Sequence, residues 1–157
     1  MKKRILMLTL CLLLAVGGVA LTASRSARAT GALPQAVNVK TVLAEEVVRQ
    51  VNLEREKRGL GLLRVSSELN RASRIRAYEI TRLFSHTRPD GSAWRTVSTA
   101  AYGENIAMGQ TTADKVMAAW MTSSGHRANI LRPSYGSIGV CAVASNGVTY
   151  WVQLFGK

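Results

Sequence analysis

The residues best suited to chemistry in this sequence are two histidines and one glutamate. His86 and His126 are the only histidines, and Glu104 is one of three acidic residues beyond position 85. Two imidazoles and a carboxylate can form a divalent metal site. They can equally form a hydrogen-bonded cluster in which the carboxylate raises the pKa of a histidine. Because the three residues are far apart in sequence, their spacing leaves both arrangements open, as well as two unrelated surface histidines.

A serine or cysteine nucleophile is the other chemistry to consider. Ser85, Ser123 and Ser124 each lie within three residues of a histidine. No Gly-x-Ser-x-Gly motif accompanies them, and neighbours along a backbone rarely have the geometry for attack. We therefore interpret them as ordinary capping and turn residues. Cys141 lies inside a run of β-forming residues, which predicts a small buried core residue rather than a reactive thiol.

The first 29 residues have the features of a signal peptide. Basic residues at positions 2–4 precede an uncharged stretch from Ile5 to Ala23, and Ala27-x-Ala29 matches a small-residue cleavage site. We predict a cleaved signal peptide at 1–29, with a retained N-terminal anchor as the alternative. A lead-in at 30–41 and a single domain at 42–157 follow. The protein is expected to be secreted, or anchored outside the cytoplasmic membrane, with no transmembrane segment after cleavage.

The charge of the chain limits its partners. Its 157 residues include 21 Lys and Arg against 9 Asp and Glu, a net charge of +12. No Gly-rich phosphate loop, zinc finger or aromatic RNA-binding motif is present, so we predict no nucleic-acid partner. An exported basic protein can meet anionic envelope polymers or lipid headgroups. Otherwise the positive residues between Arg49 and Arg95 form a solvated helix surface.

The spacing of apolar residues predicts three helices. The first carries Val39, Leu43, Val47 and Val51 at intervals of four and ends at Gly59 and Gly61. The second is capped by Ser66 or Ser67, and the third by Thr111 or Thr112. The expected apolar positions of the second helix are Leu69, Ala72, Ile75, Ile80 and Leu83.

The end of the chain predicts a β-hairpin. Asn146-Gly147 separates two β-rich runs, 138–144 and 148–155, and a type I′ turn favours this dipeptide because it needs positive φ twice. The first run is apolar on both faces, which is typical of a central strand covered on each side. The fold class is therefore α+β, a three-layer α-β-α sandwich with an antiparallel sheet. Cleavage would leave Cys141 as the only cysteine, so we expect a monomer stabilised by its core rather than by disulfides.

Six short motifs, taken in order, resemble the CAP superfamily, also called the SCP domain, in its bacterial exported branch. The resemblance covers about residues 42–156. The motifs that carry it are Asn52-x-Glu54-Arg55 with Gly59-Leu60 and Leu63; Phe84-Ser85-His86-Thr87-Arg88-Pro89-Asp90-Gly91; Tyr102-Gly103-Glu104-Asn105-Ile106-Ala107; Trp120-Met-x-Ser123-x-Gly125-His126-Arg127-x-Asn129-Ile130-Leu131; Ile138-Gly139-Val140; and Tyr150-Trp151-x-Gln153-x-Phe155-Gly156.

This resemblance implies an α-β-α sandwich in which His86, Glu104 and His126 converge in a central cleft. In the family, two such histidines can hold a divalent ion, often zinc, with acids nearby. His86 and His126 are thus the implied metal ligands. The sequence departs from the fullest family pattern at Ser123, which occupies the position of a second acid.

The functions that the resemblance implies are varied. The leading hypothesis is an exported binding module whose cleft of His86, Glu104, His126 and Ser123 takes a divalent metal or a small ligand, with action at the cell envelope. The alternative is a zinc-dependent hydrolase of peptide, ester or cell-wall bonds, in which Glu104 is the candidate base. The sequence leaves open whether the protein is an enzyme, because fold does not imply function.

Overall fold

A computed structural model describes residues 38–157 of the chain. The predicted signal peptide, its predicted cleavage site and the alternative anchor lie outside the described residues. The elements in chain order are β1 (Asn38–Val39), α1 (Thr41–Glu56), β2 (Arg64–Val65), α2 (Ser67–Ile80), a 3₁₀ helix (Trp94–Val97), β3 (Gly103–Met108), α3 (Ala113–Thr122), α4 (Ser124–Ile130), β4 (Ser137–Ser145) and β5 (Val148–Gly156).

The sheet is built around the C-terminal hairpin. β4 and β5 pair antiparallel through the turn at Asn146 and Gly147, whose φ angles are 51° and 75°. Both values are positive, as the type I′ turn requires, and the predicted hairpin is confirmed. β3 pairs antiparallel with β5, so that Glu104 lies opposite Leu154. β3 is thereby an edge strand of the sheet.

The opposite edge of β4 carries two short strands. β1 pairs antiparallel with the C-terminal end of β4, and β2 pairs parallel with the N-terminal end of β4. The sheet is therefore mixed, whereas the sequence predicted an antiparallel one. The parallel pairing arises because α1, which lies between β1 and β2 in the chain, returns the chain to the beginning of β4. β1 falls within the stretch predicted as a lead-in.

Helices cover both faces of the sheet, which confirms the three-layer α+β sandwich. One apolar cluster joins α1, α3 and α4 to one face, and a second joins α2 and the 3₁₀ helix to the other. Successive residues of a strand point to opposite faces. Accordingly, Ile138 and Val140 of β4 belong to the first cluster, whereas Cys141 and Val143 belong to the second.

Cys141 is a buried free thiol, as predicted. Burial raises its pKa to about 11, which keeps the thiol protonated and unreactive at neutral pH. Within residues 38–157, none of the helices combines the length and the apolar character needed to cross a bilayer.

α2 lies unusually close to the sheet at Gly139. A Cβ atom at this position would overlap the backbone of Leu69 and would lie 2.5 Å from the amide nitrogen of Asn70. The side chain of Asn70 accepts a hydrogen bond from the amide of Val140 at 3.0 Å. Only a residue without a side chain permits this approach of helix to strand.

The buried face of α2 differs from the prediction at two of the five expected apolar positions. Leu69, Ala72 and Ile80 are buried as expected, but Ile75 is 43% exposed and Arg76 is fully buried in its place. The expected apolar position Leu83 lies beyond the end of the helix and is also exposed. Arg76 occupies the apolar stripe because it has carboxylate partners there, which the site described below provides.

The start of α2 gives a prediction about capping. Ser66 is the N-cap, and its hydroxyl accepts a hydrogen bond from the amide of Leu69 at 3.3 Å. Ser66→Ala is expected to lower the free energy of unfolding by about 1 kcal/mol, because it leaves a helix N–H without its partner. Ser123 is the N-cap of α4, but its side chain makes no capping hydrogen bond. Urea unfolding should therefore show a smaller change for Ser123→Ala, and equal losses in the two variants would contradict the assignment.

Candidate functional site

The centre of the site is the carboxylate of Glu104 on the edge strand β3. The side chain of Glu104 is 0% exposed, so both oxygens depend on protein partners. Oε2 accepts a hydrogen bond from Arg76 Nε at 2.7 Å, and Oε1 lies 2.7 Å from His86 Nδ1. The carboxylate thus links α2 to the loop that carries His86.

Arg76 holds more than Glu104. Its Nη1 donates to Glu79 Oε2 at 2.6 Å, and its Nη2 donates to the carbonyl oxygen of Ser85 at 2.7 Å. The guanidinium is fully buried, and a buried charge requires such partners. From the sequence, Arg76 was expected to lie on a solvated helix surface. Arg76 follows Leu69 by seven residues and Ala72 by four. This helical spacing places it on the buried side of α2 and was the signal in the sequence for its burial.

His86 lies in the loop that follows α2, with a side chain that is 53% exposed. Its carbonyl oxygen accepts a hydrogen bond from the amide of Trp94 at 3.0 Å, which fixes the backbone. Because Nδ1 contacts Glu104, the free ring nitrogen is Nε2. A carboxylate on one nitrogen of an imidazole is the arrangement that orients the other nitrogen towards a metal ion or a ligand.

His126 lies on α4, which packs over the other face of the sheet. Burial lowers its pKa below the ordinary value, and the charge of the neighbouring His86 lowers it further. The neutral imidazole, which can bind a metal ion, is therefore the favoured form. Among the side-chain hydrogen bonds of residues 38–157, none joins Glu104 to this ring, and the convergence of all three residues at one ligand stays a prediction.

A network of buried amide side chains fixes the backbone around His126. Asn105 Nδ2 donates to the carbonyl oxygen of His126 at 3.1 Å and to Gln153 Oε1 at 2.9 Å. Asn129 Nδ2 donates to Asn105 Oδ1 at 2.9 Å and to the carbonyl oxygen of Glu104 at 3.2 Å. Glu104 and Asn105, which are consecutive in β3, thus contact the ring of His86 and the backbone of His126 from opposite faces of the sheet. The family motifs contain these amides, but the spacing of polar residues alone gave them no role.

The end of α4 is held by a second buried arginine. Arg55, on α1, is fully buried, and its guanidinium donates to the carbonyl oxygens of Gly61, Ile130, Arg132 and Tyr135 at 2.7–3.1 Å. Two of these carbonyls lie at or just beyond the end of α4, where helix carbonyls lack helical partners. Arg55 therefore fixes the helix that carries His126, instead of forming part of the solvated surface expected from sequence.

The family model of the cysteine-rich secretory protein family, CAP, matches residues 48–155. This chain belongs to the CAP family. The match spans both histidines and Glu104, and it confirms the family resemblance inferred from the six motifs.

Known proteins support the assignment of this CAP domain. The uncharacterized protein YkwD of Bacillus subtilis (strain 168) is 35% identical over 141 residues, which cover 85% of this chain and 54% of YkwD. The chain therefore spans about half the length of that relative. An outer surface protein from Borrelia burgdorferi shares the fold at 17% identity with a TM-score of 0.67, covering 78% of this chain and 98% of that one. NaASP2, whose crystal structure was determined with Zn²⁺, shares the fold at 14% identity with a TM-score of 0.61, covering 76% of this chain and 81% of NaASP2.

His86 and His126 are the side chains that the sequence predicts as metal donors. Within residues 38–157, no three His, Cys, Asp or Glu side chains form a group that could hold a metal ion. Both oxygens of Glu104 are engaged by Arg76 and His86. Ser123 precedes α4 and is half-buried. Two imidazoles alone would leave the remaining positions of such an ion to water or to a bound molecule.

Proposed function

We propose that this CAP domain is an exported binding module whose cleft, formed by His86, Glu104, His126 and Ser123, takes a divalent metal ion or a small ligand. The observation that carries the proposal is the 2.7 Å contact between Glu104 Oε1 and His86 Nδ1. It leaves Nε2 of an exposed imidazole as the free donor. Burial and the charge of His86 also lower the pKa of His126, which favours the neutral form of a second imidazole.

Zinc is the ion that this donor set favours, because zinc accepts imidazole nitrogens and tolerates an open coordination position. His86 and His126 would hold it, and a bound ion would supply an electrophilic centre to which a ligand could bind. The related structure of NaASP2 with Zn²⁺ supports this choice. Glu104 would act through His86, because it orients that imidazole and has no exposed oxygen of its own.

Binding is favoured over hydrolysis by the state of Glu104. A general base must reach the proton that it removes, but the carboxylate of Glu104 is buried and its oxygens are engaged by Arg76 and His86. Ser123, which stands where the fullest family pattern has a second acid, cannot replace it as a base near neutral pH. The zinc-dependent hydrolase is therefore the weaker alternative.

The place of action that we propose is the cell envelope. The N-terminal sequence has the pattern of an export signal, and the related Borrelia burgdorferi protein is named an outer surface protein. After cleavage at Ala29 the chain would keep 16 basic and 9 acidic residues, because five of the 21 basic residues lie within 1–29. This excess favours an anionic envelope polymer or lipid as the partner of the surface outside the cleft.

Zinc titration tests the cleft directly. Calorimetry on the purified protein is expected to show one zinc ion per chain, and His126→Ala is expected to weaken that binding by at least about tenfold, because one of two protein ligands is lost. Arg127→Ala is the matched control, since Arg127 is the exposed neighbour of His126 on the same helix. It should bind zinc as the wild type does.

Two results would overturn this proposal. Wild-type protein that binds neither zinc nor another divalent ion would remove the metal from the cleft. Zinc-dependent cleavage of peptides, esters or peptidoglycan that is lost in Glu104→Ala, under conditions in which circular dichroism shows the variant to be folded, would favour the hydrolase instead.

A further inference from the structure

The loop that carries His86 is attached to α2 on both sides of the histidine. On one side, Arg76 Nη2 donates to the carbonyl oxygen of Ser85 at 2.7 Å. On the other side, the guanidinium of Arg88 binds the carboxylate of Glu79 through contacts of 2.6–3.1 Å. The imidazole thus lies between two anchored backbone positions, which limits how far it can move from Glu104.

Glu79 is the residue that makes this attachment continuous. One carboxylate accepts hydrogen bonds from Arg76 and from Arg88, so it joins the buried guanidinium that binds Glu104 to the loop. Burial raises the pKa of Glu79, but the hydrogen bonds from Arg88 and Arg76 outweigh it and hold the pKa below its ordinary value. Glu79 is therefore charged at neutral pH and holds both arginines.

The ion pair between Arg88 and Glu79 differs from an ordinary surface salt bridge in its burial and its geometry. Exposed pairs contribute little, because solvent screens them and holding two long side chains together costs entropy. Here the side chains of Arg88 and Glu79 are only 18% and 16% exposed, and Arg88 binds both carboxylate oxygens of Glu79. Arg88 Nη1 also donates to Thr96 Oγ1 at 3.1 Å. Such fork-shaped contacts fix orientation as well as distance.

We propose that Glu79 and Arg88 are positioning residues for His86: their ion pair holds the loop against α2, so that the imidazole stays on Glu104 with Nε2 free for a ligand. Neither residue touches the ligand. The part of this proposal that concerns zinc affinity rests on the proposed function, but the effect on the loop does not.

Glu79→Gln and Glu54→Gln form a matched pair of variants. Glu54, on α1, also binds two cations, Lys57 and Arg58, at 2.8 and 2.7 Å, but it is remote in sequence from the His86 loop. Glu79→Gln is expected to weaken zinc binding by up to about tenfold, because it loosens the loop that holds His86 on its direct partner Glu104. Glu54→Gln should leave zinc binding unchanged. Equal affinities in Glu79→Gln and wild type would overturn the proposal.

A second measurement follows the loop without zinc. The amide of Trp94 donates to the carbonyl oxygen of His86, so its hydrogen exchange reports local opening of the loop. In metal-free Glu79→Gln this amide is expected to exchange at least about tenfold faster, while the amides of β5 keep their wild-type rates. Unchanged exchange at Trp94 would mean that Glu79 does not hold this loop. Acceleration in β5 as well would mean that Glu79 supports the whole fold and does not specifically position His86.

The two measurements separate the two proposals. If wild-type protein binds no zinc, the proposed metal function fails, and faster exchange at Trp94 still supports Glu79 as a positioning residue. Arg88→Lys provides the conservative variant, because lysine keeps the charge but cannot form the fork-shaped contact. We expect its exchange rate at Trp94 to lie between those of wild type and Arg88→Gln. A rate in Arg88→Gln equal to that of the wild type would contradict the role of Arg88.

Discussion

Replacing Glu104 by alanine is expected to lower the free energy of unfolding by about 3–5 kcal/mol, because it removes one partner of a buried ion pair. Arg76 would keep Glu79 but would lose the 2.7 Å contact of its Nε inside the fold. Since small domains have only about 5–15 kcal/mol of stability, the loss should be visible as a large shift in the urea midpoint. The same variant frees His86 Nδ1.

A double-mutant cycle separates the interaction energy between Arg76 and Glu104 from the other effects of replacing each side chain. Arg76→Met alone should also be strongly destabilising, because it leaves Glu104 buried with His86 as its remaining side-chain partner. The double variant Arg76→Met/Glu104→Leu should lose less than the sum of the losses in Arg76→Met and Glu104→Leu, since two apolar residues need no partners. Additive losses, or a loss below about 1 kcal/mol in Glu104→Ala, would contradict the assignment of a coupled buried pair.

Gly139→Ala is expected to be the other strongly damaging substitution. The added methyl group would overlap the backbone of Leu69, and a helix backbone cannot move aside as a flexible side chain can. Separating α2 from β4 would also disturb the hydrogen bond from Val140 to Asn70. Overpacking of this kind costs about 3 kcal/mol or more when no side chain can adjust. Thermal unfolding monitored by circular dichroism measures the loss.

Gly125→Ala is the control for this substitution. Gly125 lies within α4, and a Cβ atom there would meet nothing within 4 Å. Alanine favours helix over glycine by about 0.5–1 kcal/mol, so this variant should be as stable as the wild type or more so. If both glycine variants behaved alike, close packing between α2 and β4 would not explain the effect at Gly139.

The sequence predicts the elements of this fold well where local chemistry determines them. Ser66 and Thr112 cap helices through their side chains, and Asn146-Gly147 forms the hairpin turn, because each acts on backbone groups within three residues. The residue pattern leaves β3 unassigned, since a short strand that is buried on both faces shows no clear alternation. Its partner, β5, lies much further along the chain.

The buried arginines show why the site could be predicted only in part. Arg55 and Arg76 have the same side chain as the exposed Arg71 and Arg74, and only the tertiary fold supplies the carbonyls and carboxylates that permit burial. The family resemblance named His86, Glu104 and His126 together, whereas residue types and spacing left their association open. The contact of His86 with Glu104 could be identified only from the three-dimensional structure, because the two residues belong to different elements.

The hydrogen bonds that surround Glu104 also determine how this sheet meets other chains. β3 is an edge strand, and unpaired backbone groups on such a strand can recruit a strand from another molecule. Here Asn129 donates to the carbonyl oxygen of Glu104, and the indole of Trp120 donates to that of Ile106 at 3.4 Å. These side chains from α3 and α4 occupy acceptors that an incoming strand would need. The contacts around Glu104 and Ile106 therefore leave fewer free backbone acceptors on this edge for a strand of another molecule.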